Sequence, residues 1–210
     1  MPFLTLLQAS PTIALVWVVA IVIAIAIHEF SHAFVATLQG DSTAQLEGRV
    51  TLNPLAHLDP FGFIVLVLFG FGWGKPVPFN PYNLKNQKWG PALIALAGPA
   101  MNILGVIVFG GILSLLIHVT TLPSSNLLLI FLELIVRFNI VLAIFNLLPV
   151  PPLDGSKLLG LLPEQFHNLV QTITKYGFVI LLFVIVFGQP YLAQIFDAVN
   201  TLVFRLIGLA

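Results

Sequence analysis

Residues 11–38 form one apolar run, and its only strongly polar groups, His28, Glu29 and His32, fall near its end. As an α-helix rising 1.5 Å per residue, such a run measures roughly 40 Å, and a bilayer core is roughly 30 Å thick. Pro11 suits a first helical turn and Gly40 suits a stop. The run therefore predicts a membrane-crossing helix. The rest of the chain agrees. Of its 210 residues, 59% are hydrophobic and 8% charged, where a soluble domain carries about 25% charge. Such a chain cannot cover itself with polar groups, so much of its surface must face lipid. Long continuous apolar runs, rather than short alternating ones, exclude a β-barrel. The expected class is an all-α polytopic membrane protein.

Further along, residues 39–60 read as a polar loop, with a short strand or hairpin expected over 44–52. Residues 61–72 are apolar, but twelve residues give only roughly 18 Å of helix. This stretch predicts a re-entrant or hairpin element, not a crossing. A Pro- and Lys-containing loop over 73–90 leads to spans at 91–118 and 126–148. Glu133 and Arg137 lie four apart in the second of these, placed to pair on one helix face. An apolar run ending at Phe187 follows. A last segment, 190–209, carries Asp197, Asn200 and Arg205 and suits either a crossing or a surface helix. The count is five to six membrane segments, with the re-entrant element near 44–72. The expectation is one membrane-embedded domain over 1–210, with a core at about 12–160 and C-terminal helices at about 165–208.

Charge gives an orientation. Arg49, Lys75, Lys85, Lys88, Lys157 and Lys175 fall in the loops 39–60, 73–90 and 149–175, whereas the loop at 119–125 has no Lys or Arg. The positive-inside rule places those three loops in the cytoplasm and the N-terminus outside. Residues 1–10 lack the basic start of a signal peptide, so the first helix is expected to be retained. With a formal net charge of zero and no basic patch, nucleic acid is not an expected partner. With no cysteine, disulfides and thiolate metal sites are excluded, and any transition metal must use His and carboxylates.

His28 and His32 are four residues apart, so on a helix both imidazoles share one face, as two ligands of one Zn²⁺ would. Glu29 stands beside the first, placed to take a proton from a metal-activated water. A carboxylate in an apolar span is costly and marks function by default. A catalytic zinc takes three protein ligands and keeps one position open. Asp154 is the leading third candidate, in a Leu-Asp-Gly turn after the 126–148 span; His57, His118, His167 and Glu133 are the others. Topology favours Asp154. If 61–72 turns back, the 126–148 span ends on the same side as the His pair. If 61–72 crossed, Asp154 would lie on the opposite face.

The chain resembles the site-2 protease family of intramembrane metalloproteases, peptidase family M50. The resemblance rests on His28-Glu29-Phe30-Ser31-His32 in a membrane helix and on Asn146 through Gly155, similar to the family's Asn-x-x-Pro…Leu-Asp-Gly motif. Ala97-Gly98-Pro99-Ala100-Met101-Asn102 is similar to its Gly-Pro-x-x-Asn element. The loops 52–60 and 74–80 look like those of short bacterial members. The resemblance implies one Zn²⁺ per chain, bound by His28, His32 and Asp154. It implies Glu29 as general base and later proton donor. Asn146 would orient substrate or stabilise the oxyanion, and Asn102 would hydrogen-bond a neighbouring helix or an extended substrate. His57 and Asp59 are expected to shape their loop. Membrane-spanning or membrane-associated proteins would be the substrates, cut near the cytoplasmic side of a prokaryotic cell membrane. The chain has no room for the PDZ or CBS domains of larger members, and homo-oligomers stay open. The alternative is a membrane metal-binding protein or transporter using the same His and Asp side chains. A catalytically silent scaffold is a further rival.

Overall fold

The computed structural model describes residues 3–69 and 72–209. Eight α-helices follow in order: α1 Phe3–Ala9, α2 Pro11–Leu38, α3 Thr43–Leu46, α4 Pro60–Phe69, α5 Gly90–Val119, α6 Leu127–Asn146, α7 His167–Phe187 and α8 Gln189–Leu206. Among the described residues, four helical stretches are long and apolar enough to cross a membrane: Pro11–Leu38, Gly90–Val119, Leu127–Asn146 and Glu164–Phe187. With the short apolar α4, they fit an all-α polytopic membrane protein.

Helix α2 starts where Ser10 caps the Ile13 N–H and Pro11 opens the first turn. It ends in a Schellman motif. Gly40 sits at φ 99°, its N–H bonds Thr37 O, and Asp41 N–H bonds Ala36 O. Only a glycine adopts that backbone at little cost. Where a strand or hairpin was expected over 44–52, the chain forms the single turn α3 and a second left-handed glycine, Gly48 at φ 68°. Arg49 N–H then bonds Ala44 O, closing the turn before any strand can pair.

The helix in the apolar stretch after Asp59 is too short to cross. Asp59 Oδ1 accepts the Gly62 N–H at 2.6 Å and starts α4, whose ten residues span about 15 Å. Leu58 and Gly74 form an isolated antiparallel bridge, and Lys75 N–H donates to His57 O at 2.7 Å. The two ends of the excursion are therefore paired, as a re-entrant element requires.

Helices α2, α5 and α6 pack on one another, and the turn Asp154–Leu161 packs on α5. Lipid tails are as apolar as the side chains, so close backbone approach, rather than water exclusion, holds such helices together. Ala20 and Ala24 of α2 are accordingly fully buried beside Ile135 of α6. A second core joins Leu113, Leu129, Leu132, Val136 and Ile140 to Phe204 of α8. Glu133 and Arg137 pair as expected, at 2.9 Å, and the Arg137 guanidinium lies 4.6 Å from the Phe204 ring centroid.

Candidate metal centre

His28 and His32 occupy successive turns of one face of α2, with their rings 4.6 Å apart. Asp154 arrives from after α6. Its turn is tight because Gly155 has no side chain: a Cβ there would stand 2.4 Å from Leu147 O. The Asp154 Oδ2 atom lies 3.0 Å from His28 Nε2 and 3.0 Å from His32 Nε2. The two Nε2 atoms are themselves 3.0 Å apart. One ligand atom from each residue thus falls within 4.8 Å of the others. The imidazoles are almost sealed, with 5% and 7% of their side-chain surface exposed, whereas Asp154 keeps 23%. Access to the centre is therefore from the Asp154 side.

The remaining ring nitrogens are engaged elsewhere. His32 Nδ1 lies 2.7 Å from Ile94 O, and His28 Nδ1 lies 2.6 Å from Asn102 Oδ1. Both partners are acceptors, so both Nδ1 atoms carry the proton and both Nε2 atoms turn lone pairs inward. These face one carboxylate oxygen, and three such lone pairs repel unless a proton or a metal cation lies among them. Two neutral imidazoles and one carboxylate, facing one point, are the donor set of a catalytic zinc site. The wall behind them leaves room for the rings. A Cβ on Gly98 would stand 2.4 Å from His28 Cε1 and 2.5 Å from His32 Nε2, so only glycine fits there. Pro99 follows and lacks an N–H, which opens the backbone ladder of α5 in the turn next to Ile94.

Glu29 is half-buried, with the charges of Asp154 and Arg49 nearby. It borders Gly74, where a Cβ would lie 3.2 Å from its Oε1. Arg49, only 2% exposed, donates Nη1–H to Pro76 O at 3.0 Å and Nη2–H to Lys75 O. It thereby holds residues 74–76 against Glu29.

The other candidates lie apart from the centre. His57 is fully buried and donates Nε2–H to Thr51 O at 2.7 Å. Burial, joined by the nearby Arg49 charge, lowers its pKa despite that bond, so it stays neutral. His118 bonds Ser114 O and His167 bonds Gln171, both on exposed helix surface. Glu133 is held by Arg137. Asn146, the last residue of α6, gives one amide hydrogen to Leu142 O at 3.0 Å. The expected contact of Asn102 with a substrate does not fit its position. Asn102 is fully buried, and its amide is spent on His28 and on Asn139 Oδ1, at 2.8 Å.

Sequence reasoning passes over Asn139 and the Ile94 carbonyl, and gives Gly98 and Arg49 no part in the site. Asn139 had a signal, being a lone amide inside the apolar run 138–145. The Ile94 carbonyl had none, because every residue carries one.

The family model for peptidase family M50 matches residues 110–188. The chain is 36% identical over 178 residues to YwhC of Bacillus subtilis, provisionally named a zinc metalloprotease, with 82% of this chain and 80% of that one covered. It is 30% identical over 170 residues to Rip2 of Mycolicibacterium smegmatis, covering 76% of this chain and 62% of the relative. To Rip2 of Mycobacterium tuberculosis it is 28% identical over 142 residues, covering 63% of this chain and 51% of the relative. Both Rip2 proteins carry the same provisional description. No solved structure matches the chain. The length shared with YwhC at that identity, on a frame of apolar helices closing over two histidines and an aspartate, makes this chain a member of peptidase family M50, the membrane-embedded zinc metalloproteases of the site-2 protease type.

Proposed function

We propose that the protein hydrolyses peptide bonds of membrane-spanning or membrane-associated proteins, with His28, His32 and Asp154 holding zinc and Glu29 moving the proton. The convergence of three ligand atoms from segments 126 residues apart, beside a half-buried Glu29, carries this reading. Zinc, when bound, supplies the Lewis acidity that polarises a carbonyl and acidifies a water. Glu29 takes the proton of that water as the new C–O bond forms. It returns the proton to the amide nitrogen as the C–N bond breaks, so water is consumed and two chain ends result. One amide hydrogen of Asn146 is held by Leu142 O, and we assign the other to the developing oxyanion.

A peptide in a helix shelters its carbonyls in its own hydrogen bonds, so a spanning substrate must unwind before it is cut. Residues 75–80 form no helix or strand and begin beside Glu29, and we assign them the role of receiving the unwound segment. The Lys- and Arg-bearing loops lie on the side to which the His pair is assigned, which supports a site towards the cytoplasmic face of a prokaryotic cell membrane.

The test is cleavage of a panel of transmembrane peptides by the purified protein and by Glu29→Gln, with zinc measured in both. Retained zinc with cleavage reduced by on the order of 10³-fold or more supports the reading. Equal cleavage by the variant overturns it. Zinc flux in liposomes that is lost on His28→Ala would instead support transport.

A further inference from the structure

We infer that Asn139, acting through Asn102, decides which nitrogen of His28 carries its proton and so aims the other at zinc. The inference rests on His28 being a zinc ligand. A ligating imidazole must offer a lone pair, and the tautomer that does so is set by the bond its other nitrogen makes. His32 meets this requirement directly. Its Nδ1 faces Ile94 O at 2.7 Å, a carbonyl that can only accept, so Nδ1 is the protonated nitrogen.

His28 faces an amide instead. An asparagine presents either its oxygen or its NH₂, so Asn102 alone would accept either tautomer. The choice is made two links further on. Asn139 Nδ2 lies 2.7 Å from Ile135 O, again a carbonyl that can only accept. Asn139 must turn its NH₂ there, which leaves its Oδ1 towards Asn102, at 2.8 Å. Asn102 must then donate Nδ2–H, which leaves its Oδ1 for His28 Nδ1, at 2.6 Å. His28 must donate in turn, and its Nε2 keeps the lone pair. Each link allows one arrangement of the next.

Burial removes the escape route. Asn102 and Asn139 are 0% exposed and His28 is 4%, so bulk water does not replace any partner. Gly105 provides the space, since a Cβ there would stand 2.7 Å from Asn139 Oδ1. Asn139 is therefore a positioning residue that touches neither Glu29 nor Asp154, while the Ile135 carbonyl sets the polarity of the whole chain of bonds.

The experiment uses the full chain in nanodiscs, with zinc affinity measured by chelator competition and the His28 tautomer read from ¹⁵N imidazole shifts. Asn139→Leu removes the polarity and is expected to weaken zinc binding by roughly 10- to 100-fold, with a mixed His28 tautomer in the zinc-free protein. Asn102→Asp can only accept, so it fixes the tautomer whatever stands at 139. The double variant N102D/N139L is expected to recover most of the lost affinity, which a merely structural role of Asn139 does not predict. Should N139L fail to fold, Gly105→Ala disturbs the same link from the other side and carries the test, with the same rescue by N102D. Wild-type zinc affinity in N139L or G105A, or no rescue by N102D, overturns the inference. His28→Ala separates the two levels: if it binds zinc as well as the wild type, the ligand reading itself falls.

Discussion

His28 Nε2 and Asp154 Oδ2 lie 3.0 Å apart although 126 residues separate them in the chain. On the proposed ligand set, Asp154→Ala leaves two neutral imidazoles with no carboxylate. Zinc affinity is expected to fall by on the order of 100-fold or more, and cleavage with it. Chelator competition checks this. Unchanged zinc content would move the third ligand elsewhere.

Gly98→Ala separates site from scaffold. Within a helix, alanine is favoured over glycine by up to about 1 kcal/mol, which offsets part of the roughly 1–3 kcal/mol that crowding a buried site costs. The added methyl would stand 2.4 Å from His28 Cε1, and the imidazoles must move. Loss of zinc binding with only a small loss of zinc-free thermal stability is the expected pattern.

Much of this was legible from the chain and some was not. The His28–His32 spacing and the shortness of the 61–72 stretch carry their meaning locally, so helix geometry and bilayer thickness were enough to read them. Asp154 was readable as the leading candidate because it stands in a Leu-Asp-Gly turn after the 126–148 span, and a span that returns brings that turn to the side of the His pair. The turn α3 was not, since a polar stretch bounded by Gly40 and Gly48 suits a hairpin as well as a helical turn until both glycines are seen at positive φ. Asn139 was hidden for a different reason. A single amide in an apolar helix has the same appearance whether it bonds its own backbone or a partner on the next helix. Only the packing of α5 on α6 tells the two apart.

The buried guanidinium of Arg49 makes a prediction about the segment beside Glu29. Arg49→Met leaves the part-buried Lys75 and Pro76 carbonyls without their donor, at a cost of about 0.5–1.5 kcal/mol for each bond lost. Residues 74–80 should loosen while zinc stays bound. Faster amide exchange over that segment, at unchanged zinc content, is the expected result. Arg49→Lys should restore part of the protection, because one ammonium reaches one carbonyl but not two in a fork.

Asp41 gives the loop below α2 a dependence on pH. It is fully buried and accepts from Thr43 N, Thr43 Oγ1, Asn80 N and Asn83 Nδ2 at 2.6–3.2 Å. Burial alone would raise its pKa, but these donors outweigh it and hold the carboxyl below its usual range. Its stabilising contribution is therefore complete above the ordinary carboxylate pKa of about 4 and is lost as pH falls through the lower folded value. Asp41→Asn should cost about 1.5–3 kcal/mol at neutral pH. The stability gap between the variant and the wild type should narrow as pH drops below about 4, which urea titrations at stepped pH would read.

The two carbonyls that fix the imidazoles, Ile94 on α5 and Ile135 on α6, have a consequence for biogenesis. On the proposed ligand set, α2 supplies the histidines, α5 and α6 hold them in aim, and Asp154 follows only after α6 has been made. A chain halted partway through membrane insertion lacks a ligand, an aiming carbonyl, or both. A slip of one residue between α5 and α6 would shift them by about 1.5 Å, more than a hydrogen bond tolerates. On that ligand set, zinc loading would require every one of these helices to be in place, and an unfinished copy of the protein would carry no blade.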